Sequence, residues 1–305
     1  MGDGKKFFLA FFAIILLFLL AIYWFVPFNT TKFNSGPINY NFSLNASNNT
    51  ELQFYPNLRF SSPEISYRIY ECPLQRQYDM ETAFNIIQEK TILSFYSVEY
   101  GEEIFVTCQD ENVMGREKQF FIAGEGGPTN ITVSGDFNII YAGEVLLIKD
   151  SGCERPNIAI HELLHALGFD HSQNPNNIMY EFSRCDQTIS EDMIDFINKI
   201  YSVPTEPDLT FQEVNAFMNG KYLNANFSIR NNGLIYSGES KVIIVADGKK
   251  IKEIEISPLD AGEGMKISLS VWIAQINVKE IEFIIENDFF ELDKTNNNVS
   301  LEIKK

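Results

Sequence analysis

All three histidines of the 305-residue chain fall within one stretch, His161-Glu162-Leu163-Leu164-His165-Ala166-Leu167-Gly168-Phe169-Asp170-His171. Few backbones can satisfy that spacing around a common point. His161 and His165 share a face only on a helix, where residues four apart stand one turn from each other. Ile158, Leu164 and Leu167 give that helix an apolar side, and Pro156 suits its first turn. Gly168 permits a left-handed cap that ends the helix and turns the chain sharply, so that His171 can swing back as a third ligand. Three neutral imidazoles around zinc leave the fourth tetrahedral position to water, whose pKa the metal lowers to about 7. Glu162 sits one position on from His161, which takes it off the ligand set but leaves it within reach of that water as a general base.

The residues resemble the extended zinc signature of the metzincin metallopeptidases, His-Glu-x-x-His-x-x-Gly-x-x-His followed by a methionine turn. Here the turn would be Asn177-Ile178-Met179-Tyr180, with Met179 as an apolar floor beneath the ligands. Within that clan the chain looks most like the matrixins, which share the short spacing, a serine after the third histidine (Ser172) and Met-Tyr at the turn. The stretch from Ile189 to Tyr201 is similar to the closing helix of their catalytic domains. The resemblance covers roughly residues 61–203. It implies an α+β metzincin-type catalytic domain, with a mixed twisted sheet and three helices, acting on a protein or peptide substrate with one catalytic Zn2+. Three departures accompany it. Met193 stands where matrixins usually have the second of two aspartates, no further histidine is left for a structural zinc, and no Pro-Arg-Cys-Gly switch precedes the domain. Calcium fits the family, although no residue pattern in this chain supports it.

The first thirty residues belong to neither domain. Phe7 to Val26 is an uncharged apolar run of about twenty residues, the length of a bilayer-spanning helix. Lys5 and Lys6 precede it and favour a cytoplasmic N-terminus, with everything after the run outside. A cleaved signal peptide is the alternative, but Ile22, Tyr23, Trp24 and Phe25 occupy the place of a small-residue cleavage site. The expected order is a cytoplasmic stub at 1–6, a transmembrane anchor at 7–26, a stalk or linker at 27–60, the peptidase at 61–203 and a second domain at 205–305. A net charge of −17 argues against nucleic acid as a partner.

Four cysteines in an outward-facing domain suggest two disulfides. Of the three pairings, Cys153 with Cys185 would tie the two ends of the active-site segment and leave Cys72 with Cys108. A free Cys72 thiol capping zinc is the minority reading. Seven Asn-x-Ser/Thr sequences, at Asn29, Asn41, Asn45, Asn48, Asn130, Asn226 and Asn298, could carry glycans outside the membrane.

Between the anchor and the zinc helix, Ile65 to Tyr70 and Glu103 to Cys108 read as strands. Asp79 reads as the cap of a helix with an apolar stripe of Met80, Ala83, Phe84 and Ile87. Phe137 to Tyr141 and Val145 to Lys149 read as two strands divided by a turn at Gly143. By the resemblance, the first of these is the candidate for the strand that binds extended peptide. Beyond Pro204 and Pro207, short alternating strands take over, with Asp247-Gly248 as a hairpin signal. About seven strands in a hundred residues fit an all-β sandwich of immunoglobulin type. The stretch resembles the CARDB module in its opening Pro207-Asp208-Leu209, its Asn231-Asn232-Gly233, Trp272 and the run Asp293 to Asn298. The expected function is that of a membrane-anchored extracytoplasmic zinc endopeptidase. The rival is a non-catalytic surface adhesion protein with a vestigial metal site.

Overall fold

The computed structural model describes residues 8, 11–18, 30–35, 52–110, 123–150, 152–274 and 277–303. Residue 8 and residues 11–18 are helical and exposed, and among the described residues no helix is long and apolar enough to cross a membrane. The remainder of the expected anchor, the lysines before it and the sequons at Asn29, Asn41, Asn45 and Asn48 lie outside the described residues.

The first domain is a mixed α/β unit. Its sheet comprises β2 (Leu58–Phe60), β3 (Glu64–Tyr70), β4 (Ser94–Ser97), β5 (Ile104–Cys108), β6 (Gly124–Ser134) and β7 (Phe137–Leu147), in the order β2-β7-β5-β3-β4 with β6 paired to β7. Every pairing is parallel except β6 with β7. Helices α1 (Leu74–Lys90), α2 (Asn157–Ala166) and α3 (Glu191–Tyr201) enclose a core with the buried sheet residues Ile65, Ile104, Val106 and Val145. Two disulfides, Cys72–Cys108 and Cys153–Cys185, lie in this domain.

Several local readings differ from the structure, each for a physical reason. Helix α1 starts at Leu74, behind Pro73, and Asp79 is buried within it, accepting from Gln75 Nε2 at 2.8 Å. Gly143 makes no turn. It lies inside the continuous strand β7, where a Cβ would sit 3.1 Å from the Ala166 carbonyl oxygen, so the glycine lets the end of α2 pack onto the strand. Phe137 to Tyr141 is not the sheet edge, because β2 and β6 flank it on either side. The edge beside α2 is β6, which opens on Gly-Glu-Gly-Gly-Pro and has no counterpart among the expected strands.

The second domain contains β8 (Leu209–Asn219), β9 (Tyr222–Asn231), β10 (Ser240–Ala246), β11 (Lys249–Ile256), β12 (Gly264–Trp272), β13 (Glu280–Glu286) and β14 (Asn298–Ile303). Strands β8, β9 and β12 form one group, and β10, β11, β13 and β14 the other. Phe211, Phe227 and Phe283 meet between them at centroid distances of 5.3 to 6.3 Å, within one buried cluster. Asp247 and Gly248, both at positive φ, make the two-residue turn between β10 and β11. The segment expected to be a stalk supplies structure at both ends. Thr30–Ser35 is strand β1, whose residues 30–32 pair antiparallel with β8 and residues 33–35 antiparallel with β14, and Leu58–Phe60 is β2 of the first sheet. Its Asn, Ser and Thr content hides β1, which gains its partners only from residues far along the chain.

The domains meet at the β6–β7 turn. Ser134 Oγ donates to the carbonyls of Gly233 at 2.6 Å and Asn231 at 3.2 Å, while Phe137 and Ile139 pack against Leu234 and Ala261. Arg59, fully buried, fixes the exit from α3 by donating to the carbonyl of Ile200. Burial lowers its pKa to about 10, and it stays charged at neutral pH.

Candidate metal centre

Helix α2 carries His161 and His165 on one face, with Ile158, Leu163, Leu164 and Ala166 in the core. The helix ends where Gly168 takes a φ of 96° and Phe169 N–H reaches back to the Leu164 carbonyl at 3.0 Å. A side chain at Gly168 would also strike Leu58, with Cδ2 at 2.7 Å from a Cβ. The chain then turns, and His171 returns with its imidazole beside the other two.

Nε2 of His165 lies 3.0 Å from Nε2 of His161 and 3.2 Å from Nε2 of His171. The ring nitrogens on the far side of the pair are occupied. Nδ1 of His161 is 2.7 Å from the Ile178 carbonyl, and Nδ1 of His165 is 2.7 Å from the Phe169 carbonyl. A carbonyl only accepts, so each Nδ1 carries the proton and each Nε2 presents a lone pair. Burial lowers the pKa of His161 and takes that of His165 down to about 4, which keeps both rings neutral. Lone pairs facing one another at this separation call for a cation. Tetrahedral zinc with bonds of about 2.0–2.1 Å to nitrogen sets its ligands roughly 3.3 Å apart, close to the two separations measured from His165. The site therefore fits zinc by donor type, tautomer and spacing, and it is the one histidine, cysteine or carboxylate group among the described residues with three ligand atoms this close together.

Beyond the ligands in sequence, Met179 is fully buried in a turn held by side-chain hydrogen bonds. Asn177 Oδ1 accepts from Met179 N–H at 2.8 Å, Asn177 Nδ2 donates to Ser190 Oγ at 3.0 Å, and Ser172 N–H donates to the Met179 carbonyl at 2.8 Å. The same turn supplies the Ile178 carbonyl that orients His161, so it acts on the ligands through its backbone. The Cys153–Cys185 disulfide joins the approach to α2 with the loop after the turn, beside a 2.6 Å bond from Asn157 Nδ2 to the Arg184 carbonyl.

Glu162 is 6 % exposed, on the side of α2 that faces β6. Burial, with Glu125 adding like charge, raises its pKa to about 8. Glycines make this fit. A Cβ on Gly124 would come 2.9 Å from Glu162 Oε1, and one on Gly126 would overlap the Glu162 carbonyl oxygen at 2.2 Å. These glycines escape a reading based on apolar periodicity. Phe54 does too: its ring stacks on His165 with centroids 5.7 Å apart, because Gln53 pairs with Phe169 and Phe54 N–H donates to the Gly168 carbonyl. Tyr180 pairs with Ser172, and its ring lies 6.0 Å from that of Phe182.

Comparison with known proteins agrees with the division into two domains. The matrixin family model matches residues 59–202, and the CARDB model matches residues 206–301. No curated protein matches the chain. Among solved structures, the chain is similar to the CARDB domain of a Pyrococcus furiosus protein. A crystal structure of that domain, in complex with di-metal ions, is 20 % identical and a solution NMR structure is 22 % identical. Each covers 32 % of this chain, and 88 % and 94 % of those chains respectively, with a TM-score of 0.28 in both cases. The first domain thus matches the matrixin model, which supports a metallopeptidase-like function, and a β domain that matches the CARDB model follows it.

Proposed function

We propose that residues 59–202 form a zinc-dependent endopeptidase in which His161, His165 and His171 hold the metal and Glu162 is the general base. The observation that carries this reading is the convergence of three Nε2 atoms, two with their tautomer fixed by a carbonyl, directly beside a buried glutamate. When bound, zinc would polarise the scissile carbonyl and acidify water. With a cation beside it to offset the burial that raises its pKa, Glu162 would be ionised, take the proton released by the attacking water and pass it to the leaving amine, while its burial keeps bulk water from competing for it. His161 and His165 would hold their orientation through the Ile178 and Phe169 carbonyls.

An extended substrate would add to the outer edge of β6 near Gly124 to Gly127, where side-chain-free backbone lies against α2. Residues 7–26 would anchor the protein in a membrane with the peptidase outside, a reading that rests on length, apolarity and the two lysines alone. Incubating the purified full chain with a denatured-protein or peptide library, with and without chelator, tests the activity. Chelator-sensitive cleavage that disappears in Glu162→Gln with zinc still bound supports the mechanism. The CARDB match favours a second, non-catalytic reading as a surface adhesion protein, and zinc binding with no turnover of any library member would support that instead.

A further inference from the structure

A cavity of about 360 Å³ lies where the two domains meet. The β6–β7 turn lines one side with Asp136, and the second domain lines the other with Asp208, Arg230 and Asn296. Asp208 and Asn296 are 4 % and 5 % exposed. Asn296 Nδ2 donates to Asp208 Oδ1 at 3.0 Å, yet Asn296 Oδ1 meets no donor. A buried amide oxygen without a partner is rare in a native fold and points to something that fills the gap.

The surroundings have the same character. Asn287 and Asn297 donate through Nδ2 to Glu291 Oε2 at 3.1 and 2.5 Å, and their own Oδ1 atoms have no donor either. Glu291 Oε1 accepts from Leu209 N–H, one residue from Asp208. Three orphaned carbonyl oxygens and the carboxylates of Asp208, Glu291 and Asp293 therefore collect in one region. Burial, reinforced by the like charges of Glu291 and Asp293, raises the pKa of Asp208 to about 6. Arg230 provides the positive charge on the cavity wall; its Nη2 donates to the Val133 carbonyl at 3.1 Å, and its Nε has no acceptor. Asp208 thus lies beside the negative charges of Glu291 and Asp293 and is ionised at neutral pH.

We propose that this cavity binds a hard divalent cation of the calcium class, with the Asp208 carboxylate and Asn296 Oδ1 as its protein ligands. Asp136 faces it from the peptidase side, and water completes the shell. Oxygen-only donors carrying net negative charge suit calcium, whereas the absence of histidine and cysteine from the cavity wall disfavours the zinc of the other site. Because the cavity wall is shared, occupancy would stiffen the β6–β7 turn against the second domain, and with it the strand beside Glu162.

The test is calcium chloride titrated into the zinc-loaded full chain at pH 7.5, followed by calorimetry and thermal unfolding. The expected result is one equivalent bound and a raised unfolding midpoint. Asp208→Asn should weaken binding at least about tenfold, since charge count sets the affinity of such sites. Its zinc content should stay unchanged. Asn296→Ala, which spares the carboxylate, should weaken binding as well, and it decides the matter if Asp208→Asn does not fold. No heat and no shift in the wild-type chain would overturn the proposal, as would a shift that both variants keep in full. A chain that gains stability toward pH 5 but ignores calcium would show that a proton alone fills the gap, which also overturns it.

Discussion

Single residues decide how tightly the candidate centre is held, and the most exacting are the smallest. Gly126 leaves no room for a methyl group against the Glu162 backbone. Gly126→Ala must therefore displace either strand or helix, and a shift of 1 Å at a reacting group costs about 10²-fold in rate. We expect kcat to fall by about that factor with one zinc per chain still bound, measured by peptide cleavage beside metal analysis. Asn177 works through other groups, since it holds Met179 N–H and Ser190 and so fixes the turn whose Ile178 carbonyl orients His161. Asn177→Ala should weaken zinc binding by roughly tenfold, the low end of what outer-shell losses cost, as read by competition with a chelating dye. Unchanged zinc affinity would mean that the turn is held by its backbone bonds alone.

At the level of elements, the zinc helix and its cap were legible in the sequence because three signals coincide there: apolar spacing, a left-handed glycine and the histidines. Gly168→Ala combines a φ of 96° with a Cβ set against Leu58, so it should lower stability by about 1–3 kcal/mol, measured by denaturant unfolding. The hairpin at Asp247-Gly248 and the apolar face of α1 were legible for the same reason, that their chemistry is local. Strand β6 was not, because glycine there answers to the Glu162 side chain across the sheet rather than to its own neighbours. Likewise Phe54 belongs to the centre only through the pairing of Gln53 with Phe169, a contact that no sequence period encodes. The Cys153–Cys185 bridge closes a separation of 32 residues around α2 and the methionine turn. Removing it as a Cys153→Ala/Cys185→Ala pair should cost about 3–4 kcal/mol, seen as a lowered midpoint that reductant lowers further only through Cys72–Cys108.

Across the whole molecule, the two domains share one electrostatic liability in Asp208. Its pKa in the folded chain stands at about 6, above the ordinary carboxylate value of 3.8, chiefly through burial. A raised carboxylate pKa means that the folded state binds the proton more tightly. The stabilising contribution is therefore complete below about pH 4 and is lost as pH rises through 6. In chelator, wild-type stability should decline by up to about 3 kcal/mol between pH 4 and 7 relative to Asp208→Asn. Parallel pH profiles of the two proteins would contradict the burial argument. The acidic total of the chain, legible in its composition, gave no hint that this one carboxylate would be enclosed between domains.

Strand β1 changes how the chain as a whole is laced. It enters the second domain's sheet between β8 and β14 before the chain crosses to the first domain, so that in chain order the first domain is a passenger between the first and second strands of its neighbour. Two connections, residues 36–57 and 203–208, join it to that sheet. A protease that nicks one of them cannot release the first domain. A stop codon after residue 204 would give more than a shortened protein, because β1 would be left with neither of the strands that flank it.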